Sequence, residues 1–138
     1  MIEKIEYEGK LLALIIPSDF SSDGIEFFTP NDFSQQLAYM KRGKGYEITP
    51  HTHNPVERSV LLTQEVLFIR SGRVKVDIYT ESRDLVTSRE LKKGDIILLA
   101  SGGHGFEMME DSEIIEVKQG PYTGDQDKTR FEPSGKQR

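Results

Sequence analysis

The chain has 138 residues, no cysteine and a formal net charge of −5. That length sets a single domain with one continuous core and excludes a two-domain enzyme of the dinucleotide-binding kind. The surplus of acids, 23 against 18 Lys and Arg, argues against a non-specific nucleic-acid binder, and the missing cysteines exclude disulfides, thiolate metal sites, Fe–S clusters and cysteine nucleophiles.

The longest apolar runs, 11–16 and 96–100, fall far short of the roughly 20 residues of a membrane span. The start MIEKIEYEGK alternates charged and apolar groups and has no apolar h-region. It does not read as a secretory signal, so no membrane partner and a cytoplasmic location are expected.

The dominant hydrophobic period is two, the period of half-buried strands. Residues 5–7 and 11–15 flank Glu8-Gly9-Lys10 and read as an N-terminal β-hairpin. Short strands are expected next at 25–28, 37–41 and 46–49. Between the first two, Thr29, Pro30 and Asp32 predict at most one short helix over 30–36. Then come 66–70 and a second hairpin, in which 74–79 alternates Val74, Val76 and Ile78 with polar residues and 85–91 follows a polar turn. Strands at 96–99, 106–109 and 114–118 complete about eleven, the spacing of an all-β sandwich or barrel. Residues 66–69 and 96–99 are apolar on both faces and belong at the centre of a sheet. From Gly120 the chain is rich in Gly, Pro and charge, and 132–138 reads as a flexible C-terminal tail.

There are three histidines. His51 and His53 are one residue apart, and in an extended segment i and i+2 share a face, so both imidazoles project together as metal ligands on a β-scaffold do. His104 sits in the Gly-rich turn Ser101-Gly102-Gly103-His104-Gly105. A His-X-His pair on an exposed strand and a solvated turn histidine are the plainer readings of the same residues.

The segment from Gly45 to His53, a Gly and five residues before His-X-His, resembles the start of the first cupin motif. Glu65 through Gly72 resembles its end. Gly94-Asp95 through His104-Gly105-Phe106 resembles the second motif. The resemblance to the cupin superfamily implies a double-stranded β-helix (a cupin jelly-roll barrel) spanning 1–131, with its metal-site core at 45–118. It implies His51, His53, Glu65 and His104 as ligands of one divalent transition metal ion: Zn, Fe, Mn, Ni or Co. Three departures stand out. Eleven residues separate His53 from Glu65, so Glu57 sits at the shorter family spacing. The second motif is one residue short and has Ala100 at a common Pro position. Met108 stands where many cupins carry Asn. Glu65 is preferred over Glu57 because it keeps its spacing to Gly72, and its place beside Leu67 and Ile69 would be costly for an unpaired carboxylate.

Three imidazoles and a carboxylate leave coordination positions open, which suits a ligand-accepting centre better than a closed structural one. The chain ending is similar to small cupin metalloproteins associated with bacterial polysaccharide and nucleotide-sugar biosynthesis, which implies a small carbohydrate-type molecule. The expected function is isomerase-like, with the metal polarising a substrate oxygen. An Fe(II)-dependent dioxygenase and a non-catalytic ligand-binding or sensor module are the alternatives.

An acidic ligand would need cations, and Arg42, Arg58, Arg70, Lys118 and Arg130 are available. Lys118 and Arg70 are put forward as ligand-binding. For Lys118 the plainer reading is a solvent face shared with Glu116, opposite Ile115 and Val117. Glu47, Glu107, Tyr39 and Tyr46 are acid–base groups that no spacing distinguishes. The N-terminal hairpin, together with Phe27, Phe28 and Phe33, points to a homodimer.

Overall fold

The computed structural model describes residues 1–133; residues 134–138 of the expected tail lie outside the described residues. The chain is all-β, with ten strands and no helix among the described residues. Two compact units form, one from Met1–Phe20 with Leu62–Arg138 and the other from Ser21–Leu61.

The larger unit holds two antiparallel sheets. The first has the order β1 (Glu3–Tyr7), β2 (Lys10–Ile16), β8 (Ile96–Leu99), β5 (Glu65–Ser71), β10 (Glu113–Lys118). The second has the order β7 (Leu85–Lys92), β6 (Arg73–Tyr79), β9 (Gly103–Met108). Neither closes into a barrel among the described residues. The expected hairpin is present as β1–β2, and β2 pairs on its other side with β8, so the hairpin is an integral part of the five-stranded sheet.

Alternation builds the core. Ala13, Ile15, Leu67, Ile69, Ile97 and Leu99 of the first sheet meet Val74, Val76, Ile78 and Leu91 of the second in one buried apolar cluster. Register sets which residues share this inner face: Leu99 lies opposite Ala13 and Glu65, and Ile97 opposite Ile15 and Leu67. The apolar run of β8 is buried on both faces at Ile97, Leu98 and Leu99, as its composition predicts. In β5 the outward Phe68 stays 37% exposed while Val66, Leu67 and Ile69 are buried.

The unit Ser21–Leu61 contains β3 (Gly24–Phe27) paired antiparallel with β4 (Ala38–Lys41). Phe27 is 61% exposed and Phe28 8% exposed, in line with adjacent strand residues facing opposite ways. No helix forms over 30–36. A single turn closes with the Phe33 N–H on the Pro30 carbonyl at 3.1 Å. The Gln36 side-chain amide then donates to the carbonyls of Pro30 and Phe33 at 2.9 and 2.8 Å. Those acceptors are taken by a side chain, and nothing propagates the helix. The strand expected at 46–49 is also absent. Tyr46 and Ile48 are exposed and no neighbouring strand supplies a ladder for them. Residues 41–61 are exposed throughout.

Candidate functional site

In the larger unit, a carboxylate crosses from one sheet to the imidazole of the other. Glu65 opens β5 on the inner face, continuing the row of Leu67 and Ile69. His104 lies in β9 opposite Ile78, on the inner face of the second sheet. His104 Nε2 donates to Glu65 Oε1 at 3.0 Å. Glu65 is buried and His104 half-buried. The hydrogen bond from His104 holds the Glu65 carboxyl down at about 2, against the upward push of burial. Glu65 is therefore an ionised carboxylate in an apolar setting, stabilised by its partner.

The turn before β9 places the imidazole. The Ser101 hydroxyl donates to the Leu11 carbonyl at 2.8 Å, and the Gly102 N–H donates to Glu81 Oε1 at 3.0 Å. Gly102 has φ +73°, and a Cβ there would lie 2.3 Å from the Tyr79 carbonyl oxygen. Only glycine fits this conformation and this approach. Gly103 admits the Phe131 ring, whose Cζ would be 3.0 Å from an added Cβ.

Around the pair lies a pocket of about 720 Å³, lined among others by Glu65, Tyr79, His104, Glu116, Lys118 and Phe131. Phe131 stacks edge-on against Tyr79, with ring centroids 5.1 Å apart. Burial raises the pKa of the Tyr79 hydroxyl. Glu116 lies within hydrogen-bond reach of Glu65. That bond to an ionised carboxylate, together with burial, raises the Glu116 pKa, so Glu116 is the member of the pair that holds a proton more readily.

Glu116 and Lys118 are exposed, as the solvent-face reading has them, but the face they share lines the pocket. Lys118 pairs with Glu65, Glu116 with Leu67 and Ile114 with Ile69, which puts all three on the inner face of β10. Ile115 and Val117 take the outer face and are about half exposed. Sequence reasoning missed Glu116, Tyr79 and Phe131 as pocket residues. The parity that joins Ile114 to Glu116 and Lys118 was the available signal for the first. Arg70 stands with Val66 and Phe68 on the opposite face of β5, exposed and outside the pocket lining. Arg130 is in the lining. Glu107 is exposed and its Oε1 is 3.5 Å from Lys75 Nζ.

His51, His53 and Glu57 belong to the unit Ser21–Leu61, and all three are exposed. The two imidazoles meet edge to face at 5.2 Å between centroids. No strand presents them, contrary to the i, i+2 argument. His51 Nδ1 instead lies 2.9 Å from the Thr49 carbonyl, an acceptor that fixes an Nδ1–H and leaves the Nε2 lone pair available. In the same unit the Arg42 guanidinium lies over the Tyr46 ring at 4.7 Å, and Arg58 donates to the Val56 carbonyl. Tyr39 is half-buried and Glu47 exposed.

The structure thus forms two donor pairs, His51 with His53 and Glu65 with His104, in different units. Among the described residues no group of three His, Asp or Glu side chains is arranged as a metal cage. The Glu65–His104 pair suits metal ligation in donor type and spacing once an ion displaces the Nε2 proton: two donors about 2.1 Å from one ion at right angles are about 3 Å apart.

No helix among the described residues is long and apolar enough to cross a membrane. In comparisons with known proteins, no family model, no curated protein and no solved structure matches the chain.

Proposed function

We propose that the chain is a metal-binding cupin that binds a small, polar, carbohydrate-type molecule in the pocket of the larger unit and acts on it in an isomerase-like way. The observation that carries this reading is the ionised Glu65 held against His104 in the lining of a pocket that also has aromatic and charged residues. A buried carboxylate whose pKa is strongly shifted by a specific partner, and which lines a pocket, is the kind of group that marks a ligand site. The donors that the larger unit brings together are Glu65 and His104. The expected ion is a divalent transition metal, and its role when bound is to polarise a substrate oxygen.

The chain's own groups supply the rest. Glu65 and His104 orient one another across the sandwich. Glu116, within hydrogen-bond reach of Glu65 and with its pKa raised, is the acid–base group that the three histidines do not provide. Tyr79 and Phe131 form an apolar wall against which the non-polar face of a sugar ring packs.

The test is elemental analysis of tag-free protein. About one equivalent of transition metal is expected in the wild type, the stoichiometry of one centre. Glu65→Ala/His104→Ala is expected to lose it. Metal content should also fall below about pH 6, because imidazole must be neutral to ligate. Absence of bound metal in folded wild type after reconstitution with Zn, Mn and Fe(II) would overturn the reading.

A further inference from the structure

The pocket's charged wall carries a second recognition element. Three of its acids are engaged within the protein. Glu65 is tied to His104. Glu81 accepts from the Gly102 N–H and from Lys10 Nζ at 3.0 and 3.2 Å. Glu116 lies within hydrogen-bond reach of Glu65. Asp127 is the remaining acid of the lining.

The cations are in the opposite condition. Lys118 and Lys128 make no ion pair among the described residues, and both lie close enough to Glu116 to act on its charge. Among the described residues Arg130 pairs only with Asp125, at 3.9 Å, with both side chains largely exposed. Such a pair contributes little and exchanges readily for another anion.

These three cations come from two chain segments, the end of β10 and the stretch after it. Phe131 anchors that stretch: its ring is seated on Tyr79 and Gly103 and lies 5.3 Å from the Arg83 guanidinium carbon. The anchor fixes where Lys128 and Arg130 stand relative to Lys118.

We propose that this wall is an oxyanion subsite, in which Lys118, Lys128 and Arg130 hold a phosphate or carboxylate group of the small molecule bound in the pocket. The ligand class is then an acidic sugar or sugar phosphate in place of a neutral sugar. The inference rests on the pocket being the ligand site, as proposed above, and does not require the metal ion. An ammonium or guanidinium facing an anion across a partly enclosed wall makes charge-assisted hydrogen bonds stronger than neutral ones.

The experiment is a titration of the full chain, followed by amide chemical shifts, with inorganic phosphate as one probe and acetate as the other. Ionic strength is held constant. Wild type, Lys118→Gln/Lys128→Gln, Lys118→Arg/Lys128→Arg and Arg70→Gln are compared, each with zinc and after chelation. Amide dispersion verifies that every variant is folded.

Saturable shifts are expected at residues 103, 118 and 131 with at least one probe, in zinc-loaded and chelated protein alike. The Gln pair should weaken binding about tenfold or more, as loss of two charge-assisted bonds implies. The Arg pair should restore it, and Arg70→Gln on the far face should leave it unchanged. Phosphate binding alone identifies a phosphorylated ligand, and acetate binding alone a carboxylate, and either supports the subsite. Equal affinity in the Gln pair, shifts confined to other surfaces, or no saturable binding of either anion overturns it. Binding that requires zinc and ignores the lysines also overturns the subsite while supporting the metal centre. Lysine-dependent binding in a protein that takes up no metal supports the subsite while the metal centre falls.

Discussion

Two carboxylates of the larger unit reach across the sandwich, and they do different work. Glu3 of β1 meets Arg89 of β7, with Arg89 Nε at 3.0 and 2.9 Å from its two oxygens and Nη2 at 2.7 Å from Oε2. Glu65 of β5 meets His104 of β9 through one bond of 3.0 Å. The first pair is bidentate, half-exposed and made with a cation that does not titrate. It ties two strands together and has no free donor or acceptor directed at a ligand. The second pair is more buried, joins a carboxylate to an imidazole, and lines a pocket. The same cross-sheet geometry becomes a clamp or a site according to the partner's chemistry and what lies beside it.

Acid titration should separate the two pairs most strongly. The folded pKa of Glu65 is depressed, from 4.5 to about 2. Its stabilisation is therefore fully present above pH 4.5 and is lost as pH falls through about 2. Up to about 3 kcal/mol is at stake. Urea unfolding of wild type and Glu65→Gln should differ by that order at pH 6 and converge near pH 2. Curves that stay parallel throughout would show that the carboxylate is not held ionised by His104.

The clamp should respond to salt in place of pH. A double-mutant cycle with Glu3→Gln and Arg89→Gln is expected to give a coupling of about 0.5–1 kcal/mol. The coupling should be constant from pH 6 to 9 and shrink in high salt. A coupling that titrates near neutrality would erase the distinction between the pairs.

The smallest effect concerns Glu116. Its folded pKa is raised, first by Glu65 and then by burial. A raised carboxyl favours the fold at low pH and opposes it once pH passes the folded pKa. Glu116→Gln should therefore gain a few tenths of a kcal/mol at pH 7, an amount limited by the group's exposure to solvent. The gain should vanish near pH 3. A loss at pH 7 would mean that the ionised Glu116 is stabilising, most directly through Lys118.

Part of the site was legible without coordinates. A carboxylate in the row Glu65, Leu67, Ile69 had to find a partner, and His104 after a Gly-rich turn was one of few groups able to provide it. Lys118 and Glu116 were not legible in the same way. Alternation says that Ile114, Glu116 and Lys118 share a face, and it is silent on which face is inner. The pairing of Lys118 with Glu65 decides that. The i, i+2 reading of His51 and His53 assumed a strand. The two rings do meet, yet the Thr49 carbonyl and an irregular backbone position them.

The sequence alone determined what depends on neighbours in the chain. It specified strands by period two, turns by Gly and polar runs, the N-terminal hairpin, and the buried run of β8. Where propensity lacked a partner, it over-reached: 46–49 has strand character and no ladder, and 30–36 has helix-start signals whose carbonyls Gln36 takes. Tertiary structure decided everything that depends on register between distant strands. It chose the inner face of β10, brought Glu65 to His104 and seated Phe131 on Gly103. The reason is that a strand has two chemically distinct faces one residue apart, and only pairing with a distant partner selects between them.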